Sequence, residues 1–365
     1  MALSNQTPAS RAILHALLAL ASHHRGNDPV FAAQMKHSAV QILLSTTSPD
    51  MDSCTAIEHI AAGIVLCTVD MQHSPPSCWI THITGTRTVI SALSHSPLPS
   101  PSPPSPASLI LSWVFYFDTF TRFSLRHWRT ESIRATAMEL GFDSQGEKAC
   151  ALQYIIAKHS FAQDVKGIEA FAHPLVRMVA QVLGIRMGAE EAGWFDEAYQ
   201  KGLDELRAGL EGFDVKGHGN VPGTGSEKPS HNDHDNDHDT THLQLLRLSA
   251  LIYLERISRS FSGASPQLSA YLVTALSLIS ELDFMPAHFT LFVIGCEART
   301  DEERGVLLSF FARMQTRPHL ISLFQAQSLV ESAWIQQDLD LEGGLGYLHK
   351  LNLVLSSRDV VPSFM

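Results

Sequence analysis

Apolar residues recur at helical spacing along almost the whole chain, and no stretch shows the two-residue alternation of a half-buried strand. Ala, Leu, Ile and Met, which favour helices, dominate the periodic segments. The pattern predicts an all-α fold, a large multi-helix bundle of antiparallel helical hairpins. The predicted helices cover residues 9–23, 29–45, 55–70, 77–94, 108–123, 128–141, 147–159, 163–183, 188–212, 241–262, 266–283, 286–297, 301–315, 318–337 and 342–354.

Three helix starts carry recognisable signals. Ser108 stands before an apolar helical run, and Thr300 is followed three residues later by Glu303, the spacing of a capping box. Pro286 falls at the beginning of its helix, where its missing N–H does no harm. These residues predict where the three helices begin.

Two segments interrupt the helical pattern. Residues 95–107 are rich in Pro and Ser, which excludes a helix and favours extended polyproline II. Residues 213–241 are rich in Gly, His and Asp and are predicted to be flexible. Both are interpreted as disordered insertions in one helical domain spanning residues 1–365. A scaffold role, with the Pro-rich segment docking onto a proline-reading module, remains an alternative for the first.

Composition narrows the function classes. The 365 residues are 45% hydrophobic and 17% charged, which suits a large buried core. The net charge is −11, with no run of basic residues. Because affinity for DNA comes mainly from clustered Lys and Arg, no direct sequence-specific DNA binding is expected. The apolar run 109–117 is too short to span a membrane, so a soluble protein of the nucleus or cytoplasm, without a membrane partner, is predicted.

The five cysteines do not resemble a zinc site. Cys54, Cys67, Cys78, Cys150 and Cys296 never occur at the short spacing that structural zinc sites use. Their number is odd, and most lie among apolar residues. They are interpreted as buried free thiols of a reducing compartment, and no cofactor is predicted.

A His/Asp tract offers a second metal hypothesis. His231, His234, His238 and His242 alternate with Asp, and imidazole with carboxylate suits zinc, nickel or copper. In a helix, the last three would share one face at a spacing of four. No apolar position orders the tract, however, and a dedicated site needs fixed supporting groups. A weak metal site therefore stays open beside the interpretation that no metal is bound.

Several motifs occur in an order that resembles a known family. An apolar run ending at Gly295-Cys296 leads into a charge cluster, and about thirty residues later Glu331 stands in an apolar helix face. Upstream lie a Trp/His/Gly helix, an aromatic helix ending in Asp, and a Leu/Tyr helix. The segments concerned are 55–67, 79–87, 112–118, 251–256, 291–300 and 329–334.

Together they resemble the fungal-specific transcription factor domain, the helical regulatory region that usually follows a zinc binuclear cluster. The cluster itself is absent from these residues. The resemblance implies a regulatory protein that acts through protein partners or as a homodimer, with a small apolar ligand left open, and it allows a role in controlling natural-product biosynthesis genes. The alternative is a helical small-molecule-binding protein or an enzyme of fungal secondary metabolism acting on an apolar metabolite.

The polar residues inside these motifs form the predicted site. His82 and Asp118 suit a general base and its orienting partner, or a core histidine satisfied by a backbone carbonyl. Glu297 and Glu331 are predicted to pair with Arg299 and Arg304 in a buried network that clamps two C-terminal helices, since an unpaired buried charge is costly. For an apolar ligand, the residues expected to contact it are Trp79, His82, Tyr116, Asp118, Glu297 and Glu331.

No stronger catalytic signature is present in the sequence. It contains no Gly-rich phosphate loop after a strand, no Gly-x-Ser-x-Gly elbow and no His-Glu-x-x-His pair. No catalytic residue is therefore assigned, and the sequence favours a regulatory protein over an enzyme.

Overall fold

The computed structural model describes residues 7–25, 28–48, 51–71, 79–93, 105–128, 159–161, 165, 167–189, 191–215, 233–316, 321–340, 345–358 and 361–365. Within these residues the regular structure is helical and contains no strand, which confirms the all-α prediction. A short 3₁₀ helix covers Glu169–Phe171. The α-helices are α1 (Pro8–Arg25), α2 (Pro29–Thr46), α3 (Ser53–Met71), α4 (Trp79–Leu93), α5 (Pro106–His127), α6 (Pro174–Leu183), α7 (Glu197–Glu211), α8 (Asp233–Ser258), α9 (Pro266–Glu281), α10 (His288–Glu297), α11 (Asp301–Gln315), α12 (Ile321–Leu339) and α13 (Tyr347–Ser356).

The chain forms two compact units. The first comprises Met1–Ala172, Pro318–Ser322 and Asp359–Ser363. The second comprises His173–Arg317, Leu323–Arg358 and Phe364–Met365. The organisation as a single domain stays a prediction.

Small side chains allow close helix packing in the first unit. Ala12 and Ala16 of α1 are fully buried, the latter in a cluster with Ala39 of α2 and Leu66 of α3. His15 Nδ1 lies 3.0 Å from Ser38 Oγ, and Ser22 Oγ donates to the Asp28 carbonyl at 3.1 Å, so α1 and α2 run antiparallel. Alanine brings the two backbones together, and the bulkier residues of α2 remain partly exposed.

Helices α3 and α4 also approach each other closely. A Cβ atom added to Gly63 of α3 would lie 2.6 Å from Thr86 Oγ1 of α4, so a larger residue at this position would require the Thr86 hydroxyl to move. This contact aligns the ends of α3 and α4 that carry Asp70 and His82. The packing therefore positions the polar groups described below.

Helix α3 has the most membrane-like composition of the described helices. It is the one helix among them that is long and apolar enough to cross a bilayer, but 72% of its apolar window is buried inside the structure. Contacts with α1, α4 and α5 account for that burial. Its apolar composition follows from its place in the core of the first unit.

The second unit is built around α8 and α10. Helix α8 contacts α6, α7, α9, α10 and α13. All ten residues of α10 are buried, so this helix is enclosed on every side and has no polar face. The apolar run that ends at Gly295 is thus explained by burial.

Two predicted helices are shorter than expected. The helix predicted over 163–183 begins only at Pro174, where His173 Nδ1 accepts a hydrogen bond from Leu175 N at 3.3 Å. The helix predicted over 188–212 begins at Glu197, because Gly193 adopts φ +77°, a left-handed conformation that ends regular helix. The spacing of apolar residues alone does not predict where a cap or a left-handed glycine delays the start of a helix.

The second predicted insertion is partly helical. Helix α8 begins at Asp233, so residues 233–241 of the predicted flexible segment 213–241 belong to a helix. Downstream, the rings of His238 and His242 pack near Phe284, with centroids 4.9 and 6.5 Å away. Residues 216–232, and residues 94–104 of the Pro-rich insertion, lie outside the described residues.

Helix caps differ in one detail from the prediction. Thr300 and Glu303 form the predicted capping box at the start of α11. Helix α5 is capped by Ser105 rather than Ser108, and Ser108 completes the box by accepting a hydrogen bond from Ser105 N at 2.7 Å. Pro286 precedes α10, which begins at His288.

Three of the five cysteines fall in the described residues, and none of the three is in a disulfide. Cys67 and Cys296 are buried, as predicted, and burial raises the pKa of the Cys67 thiol. Cys54 is exposed, because it lies in the first turn of α3, where residues 52–54 all face solvent. Cys78 and Cys150 lie outside the described residues.

Candidate functional site

The predicted site residues fall into two polar clusters, one in each unit. In the first unit, Asp118 of α5 is buried and bound by two guanidinium groups. Arg87 of α4 donates from Nη1 to one oxygen, and Arg122 Nε donates to the other at 2.7 Å. The remaining faces of Arg87 are covered by the Ser160 carbonyl, 3.0 Å from Nη2, and by the ring of Phe161, whose centroid lies 4.3 Å from Cζ.

His82 has a different carboxylate partner from the one considered in the sequence. Its Nε2 lies 3.0 Å from Oδ2 of Asp70 in α3, while Lys36 of α2 donates to Oδ1. Burial by itself would raise the pKa of Asp70, but the hydrogen bonds from His82 and Lys36 outweigh it, so the pKa lies below its usual value. This trio joins α2, α3 and α4. Asp118 is occupied by Arg87 and does not orient His82.

Trp79 and Tyr116 complete the predicted residues of the first unit. Trp79 is buried, and its Nε1 donates to the Val361 carbonyl at 3.0 Å. The ring of Tyr116 packs edge-on against Phe120, with centroids 4.8 Å apart. Burial of its phenol raises the pKa of Tyr116 well above the usual value. The structure therefore gives Trp79 an anchoring contact and Tyr116 a packing contact.

Glu297 forms the central ion pair of the second unit, and its partner is Arg256. Arg256 Nε donates to Oε1 at 2.8 Å and Nη2 donates to Oε2 at 2.5 Å, with both side chains buried. Arg256 Nη1 also donates to the carbonyl oxygens of Gly263 and Phe261, at 2.6 and 3.2 Å. Burial would lower the pKa of Arg256, but the hydrogen bonds to Glu297 outweigh it and raise the pKa.

Two aromatic rings flank this pair. The Arg256 Cζ atom lies 5.3 Å from the ring centroid of Phe261 and 5.5 Å from that of Tyr347. The Tyr347 hydroxyl is buried and has no hydrogen-bond partner within the described structure. Burial is the largest cause of its raised pKa, so the phenol stays neutral.

The other predicted network residues have partners that the sequence did not indicate. Arg304 binds Asp338 of α12 at 2.8 and 3.0 Å, and Arg299 Nη2 donates to the Ser262 carbonyl at 3.3 Å. Glu331 accepts from Gln327 Nε2 at 2.7 Å. The network predicted among Glu297, Glu331 and the two arginines is thus replaced by separate pairs, because helix packing brings Arg256 and Asp338 closer than the sequence neighbours.

The two sequence segments singled out at the C-terminal end do come together. Trp334 Nε1 donates to the Gly295 carbonyl at 2.9 Å, and Gln337 Nε2 donates to the Cys296 carbonyl at 2.5 Å. A Cβ on Gly295 would lie 2.7 Å from both γ carbons of Val330. The Val330 side chain of α12 therefore packs directly on the Gly295 backbone of α10, and a larger residue at position 295 would require Val330 to move.

The structure places two members of the His tract. His238 Nδ1 lies 3.4 Å from Asp283 Oδ1, and burial lowers the pKa of His242. His231 lies outside the described residues; His234 lies on α8, but its side chain is outside them. Within the part of the chain that the structure describes, no three His, Cys, Asp or Glu side chains are grouped as metal ligands.

Sequence reasoning missed Asp70, Arg87 and Arg256. Arg256 lies inside the Leu/Tyr motif and Arg87 is the last residue of the Trp/His/Gly segment 79–87, so the signal for these two was a charged residue within an apolar run. All three are buried charges that cross-link helices. Asp70, Asp118 and Glu297 each accept hydrogen bonds from basic side chains of other helices, and these contacts join helices within each unit.

Comparison with known proteins identifies the family. Residues 1–349 match the family described as the fungal specific transcription factor domain. The chain is 27% identical over 374 residues to the transcription factor iacI of Pestalotiopsis fici, an alignment that covers 100% of this chain and 87% of that protein. No solved structure matches the chain. The chain belongs to the fungal-specific transcription factor domain family.

Proposed function

We propose that this chain regulates transcription through protein partners, without a zinc cluster in these 365 residues, and that its targets are natural-product biosynthesis genes. A regulatory role in transcription follows from the family and from the transcription factor relative. The observation that carries the proposal is the family match over 349 residues combined with five cysteines that lack cluster spacing. The net charge of −11 supports recruitment to DNA by a partner rather than direct binding.

The buried ion pairs support a structural role for the segments that resemble motifs of the family. Arg256–Glu297 and Arg87–Asp118 join helices within each unit, and both carboxylates are already paired with a guanidinium group. Recognition of a partner would then lie on the surface. In many complexes the interface backbone moves little on binding, so internal bracing of the helices is compatible with recognition at the surface.

A tethering assay tests this proposal. The full chain is fused to an unrelated DNA-binding domain and expressed in a fungal host with a matching reporter, and the purified unfused chain is titrated with genomic DNA fragments at low salt. The proposal expects reporter output to change against the DNA-binding domain alone, and no sequence-selective retention of DNA. An unchanged reporter, or selective DNA retention by the chain itself, contradicts it.

Transcript profiling tests the target class. Deletion of the gene in its own fungus is expected to change transcripts of adjacent biosynthetic genes more than those of housekeeping genes. A change spread evenly over the genome, or no change, contradicts the assignment of targets.

One observation favours a second candidate, binding of an apolar metabolite by the second unit. The Tyr347 hydroxyl is buried without a hydrogen-bond partner, beside Arg256 and Glu297, and a ligand polar atom would satisfy it. Native mass spectrometry of the full chain purified from a fungal host would show a bound small molecule, and Tyr347→Phe would lose it. An identical unliganded mass for both proteins contradicts this second function.

A further inference from the structure

The turn between α6 and α7 presents an aromatic side chain to solvent. Phe195 is 79% exposed, more than any other large hydrophobic side chain among the described residues. Its neighbour Trp194 is 7% exposed and anchors the same turn in the second unit. Because hydrophobic stabilisation comes from removing apolar surface from water, Trp194 stabilises the fold and Phe195 contributes little.

The turn is held in one conformation. Gly193 has φ +77°, and a Cβ at this position would lie 2.5 Å from Asp196 Oδ2 and 2.6 Å from Arg186 Nη2. Arg186 donates from Nη1 to the Gly193 carbonyl, and Gln200 Nε2 donates to the Trp194 carbonyl at 2.6 Å. Both carbonyls that precede Phe195 are therefore fixed by side chains from outside the turn.

Arg186 is itself locked. Its guanidinium lies over the ring of Tyr199, with Cζ 4.1 Å from the centroid, and its backbone N–H donates to the Tyr199 hydroxyl at 2.9 Å. The Arg186 guanidinium therefore makes its contacts within the turn and with the adjoining Tyr199 ring. The exposure of Phe195 is thus a property of a braced turn and not of a loose loop.

The surroundings of Phe195 are acidic. Residues 186–201 contain four acidic residues, Glu190, Glu191, Asp196 and Glu197, and two basic residues, Arg186 and Lys201. Glu191, Asp196 and Glu197 are exposed, and Asp196 makes no side-chain capping hydrogen bond to α7. The charge around Phe195 is thus net negative, and an apolar side chain in such a setting favours a partner of the opposite pattern.

We infer that the Phe195 turn, residues 191–197, is a docking surface for a protein partner that offers an apolar pocket rimmed by Lys or Arg. Aromatic side chains in well-packed pockets carry much of the binding energy of interfaces, and a pre-ordered turn avoids the entropy cost of fixing a loop. The acidic rim adds attraction that salt weakens. The inference rests on the proposed function, since it names the surface through which a partner would act.

Selection against the whole protein tests this surface. A phage library displaying fragments of a fungal proteome is selected on the full chain and then on Phe195→Ser. The matched control is Val273→Ser, which removes an exposed apolar residue of α9 in the same unit. The expected result is a set of net-basic fragments that bind the parent chain and Val273→Ser alike and bind Phe195→Ser at least tenfold more weakly.

A charge variant separates the rim from the aromatic residue. Glu191→Gln with Glu197→Gln keeps side-chain size, and glutamine still accepts the hydrogen bond that Glu191 receives from Met187 N at 2.8 Å. The selected fragments are expected to bind it several-fold more weakly, with a shallower dependence on salt. Fragments that bind Phe195→Ser as well as the parent chain, fragments insensitive to the double glutamine variant, or no fragments at all overturn the inference.

The outcome is independent of transcription. Loss of fragment binding in Phe195→Ser supports the surface whatever the tethered reporter shows. A reporter response that Phe195→Ser leaves unchanged, together with a selection that returns nothing, overturns the surface while the regulatory function stands.

Discussion

Arg256 and Glu297 lie 41 positions apart in the sequence and join two buried helices of the second unit through a pair of hydrogen bonds. Both lie in segments that resemble motifs of the family, and each is the other's charge partner. Taking charges out of water is costly, and the geometry of the pair, together with the two carbonyl oxygens on Arg256, offsets that cost. The pair is therefore a place where losing one partner has a larger effect than losing both.

Replacing Glu297 with Gln should destabilise the protein strongly. The substitution keeps the shape but leaves the buried Arg256 guanidinium without its counter-charge, which costs about 3–5 kcal/mol in proteins. Urea unfolding of the full chain, followed by circular dichroism, measures the change. A matched control is Asp338→Asn, which removes the exposed partner of Arg304 and is expected to change little.

Replacing both members separates charge from packing. In a chain carrying Arg256→Met and Glu297→Leu, the unfolding free energy is expected to recover most of the loss seen in Glu297→Gln. Equal losses in the double and single variants would contradict the account of an unpaired buried charge.

Local features of the fold were readable from the sequence, and pairings between helices were not. The helix predicted over 55–70 is observed as α3, Ser53–Met71, because its apolar periodicity is continuous. The Thr300 capping box is set within four residues. Asp70, by contrast, receives Lys36 and His82 from two other helices, and no spacing in the sequence encodes that meeting.

The same distinction applies to the predicted site. Glu297 was singled out correctly as a buried charge in an apolar run, but its nearest arginines in the sequence, Arg299 and Arg304, point to other partners. That a charged residue will be buried can be predicted from the apolar residues beside it in the sequence. The identity of its partner depends on helix packing, which is decided by side-chain shape across the unit.

Replacing Gly295 with Ala should destabilise the second unit. Alanine favours a helix over glycine, but the added methyl would meet both γ carbons of Val330 at 2.7 Å. Overpacking of this kind costs about 1–3 kcal/mol, which outweighs the gain in propensity. Thermal and urea unfolding measure the effect.

The control is a glycine in open space. Nothing lies within 4 Å of a Cβ at Gly305 in α11, so Gly305→Ala is expected to stabilise the chain by roughly 0.5–1 kcal/mol. Val330→Ala added to Gly295→Ala should restore part of the loss. If Gly295→Ala and Gly305→Ala behaved alike, the close approach of α10 and α12 would be refuted.

Replacing Thr300 with Ala should cost about 1 kcal/mol, because the side chain accepts the hydrogen bond from Glu303 N at 3.2 Å that begins α11. Thr300→Ser keeps the hydroxyl and is expected to stay close to the parent chain. Urea unfolding of the three proteins at one pH measures the difference. A loss in Thr300→Ser as large as in Thr300→Ala would assign the effect to the methyl group instead of the cap.

Stability should fall at acidic pH in a way that depends on Asp70. The pKa of Asp70 is lowered in the folded protein, since the hydrogen bonds from His82 and Lys36 outweigh its burial. As the pH falls, the unfolded chain binds a proton at Asp70 near its ordinary pKa of about 3.9. In the folded chain, the Asp70 carboxylate stays ionised to a lower pH. The stabilising contribution is therefore fully present above that ordinary value and is lost as pH falls through the folded pKa.

Urea unfolding at pH steps from about 6 down to about 3 measures this linkage. Asp70→Asn should be less stable than the parent chain at the upper end, and the two curves should converge as the pH falls, because asparagine does not titrate. Asp28→Asn is the matched control. The Asp28 side chain accepts hydrogen bonds from the backbone N–H groups of Val30 and Phe31 at the start of α2. Asparagine caps a helix about as well as aspartate, so this variant is expected to change stability little. Parallel curves for the parent chain and Asp70→Asn across the acidic range would show that Lys36 and His82 do not stabilise the ionised carboxylate.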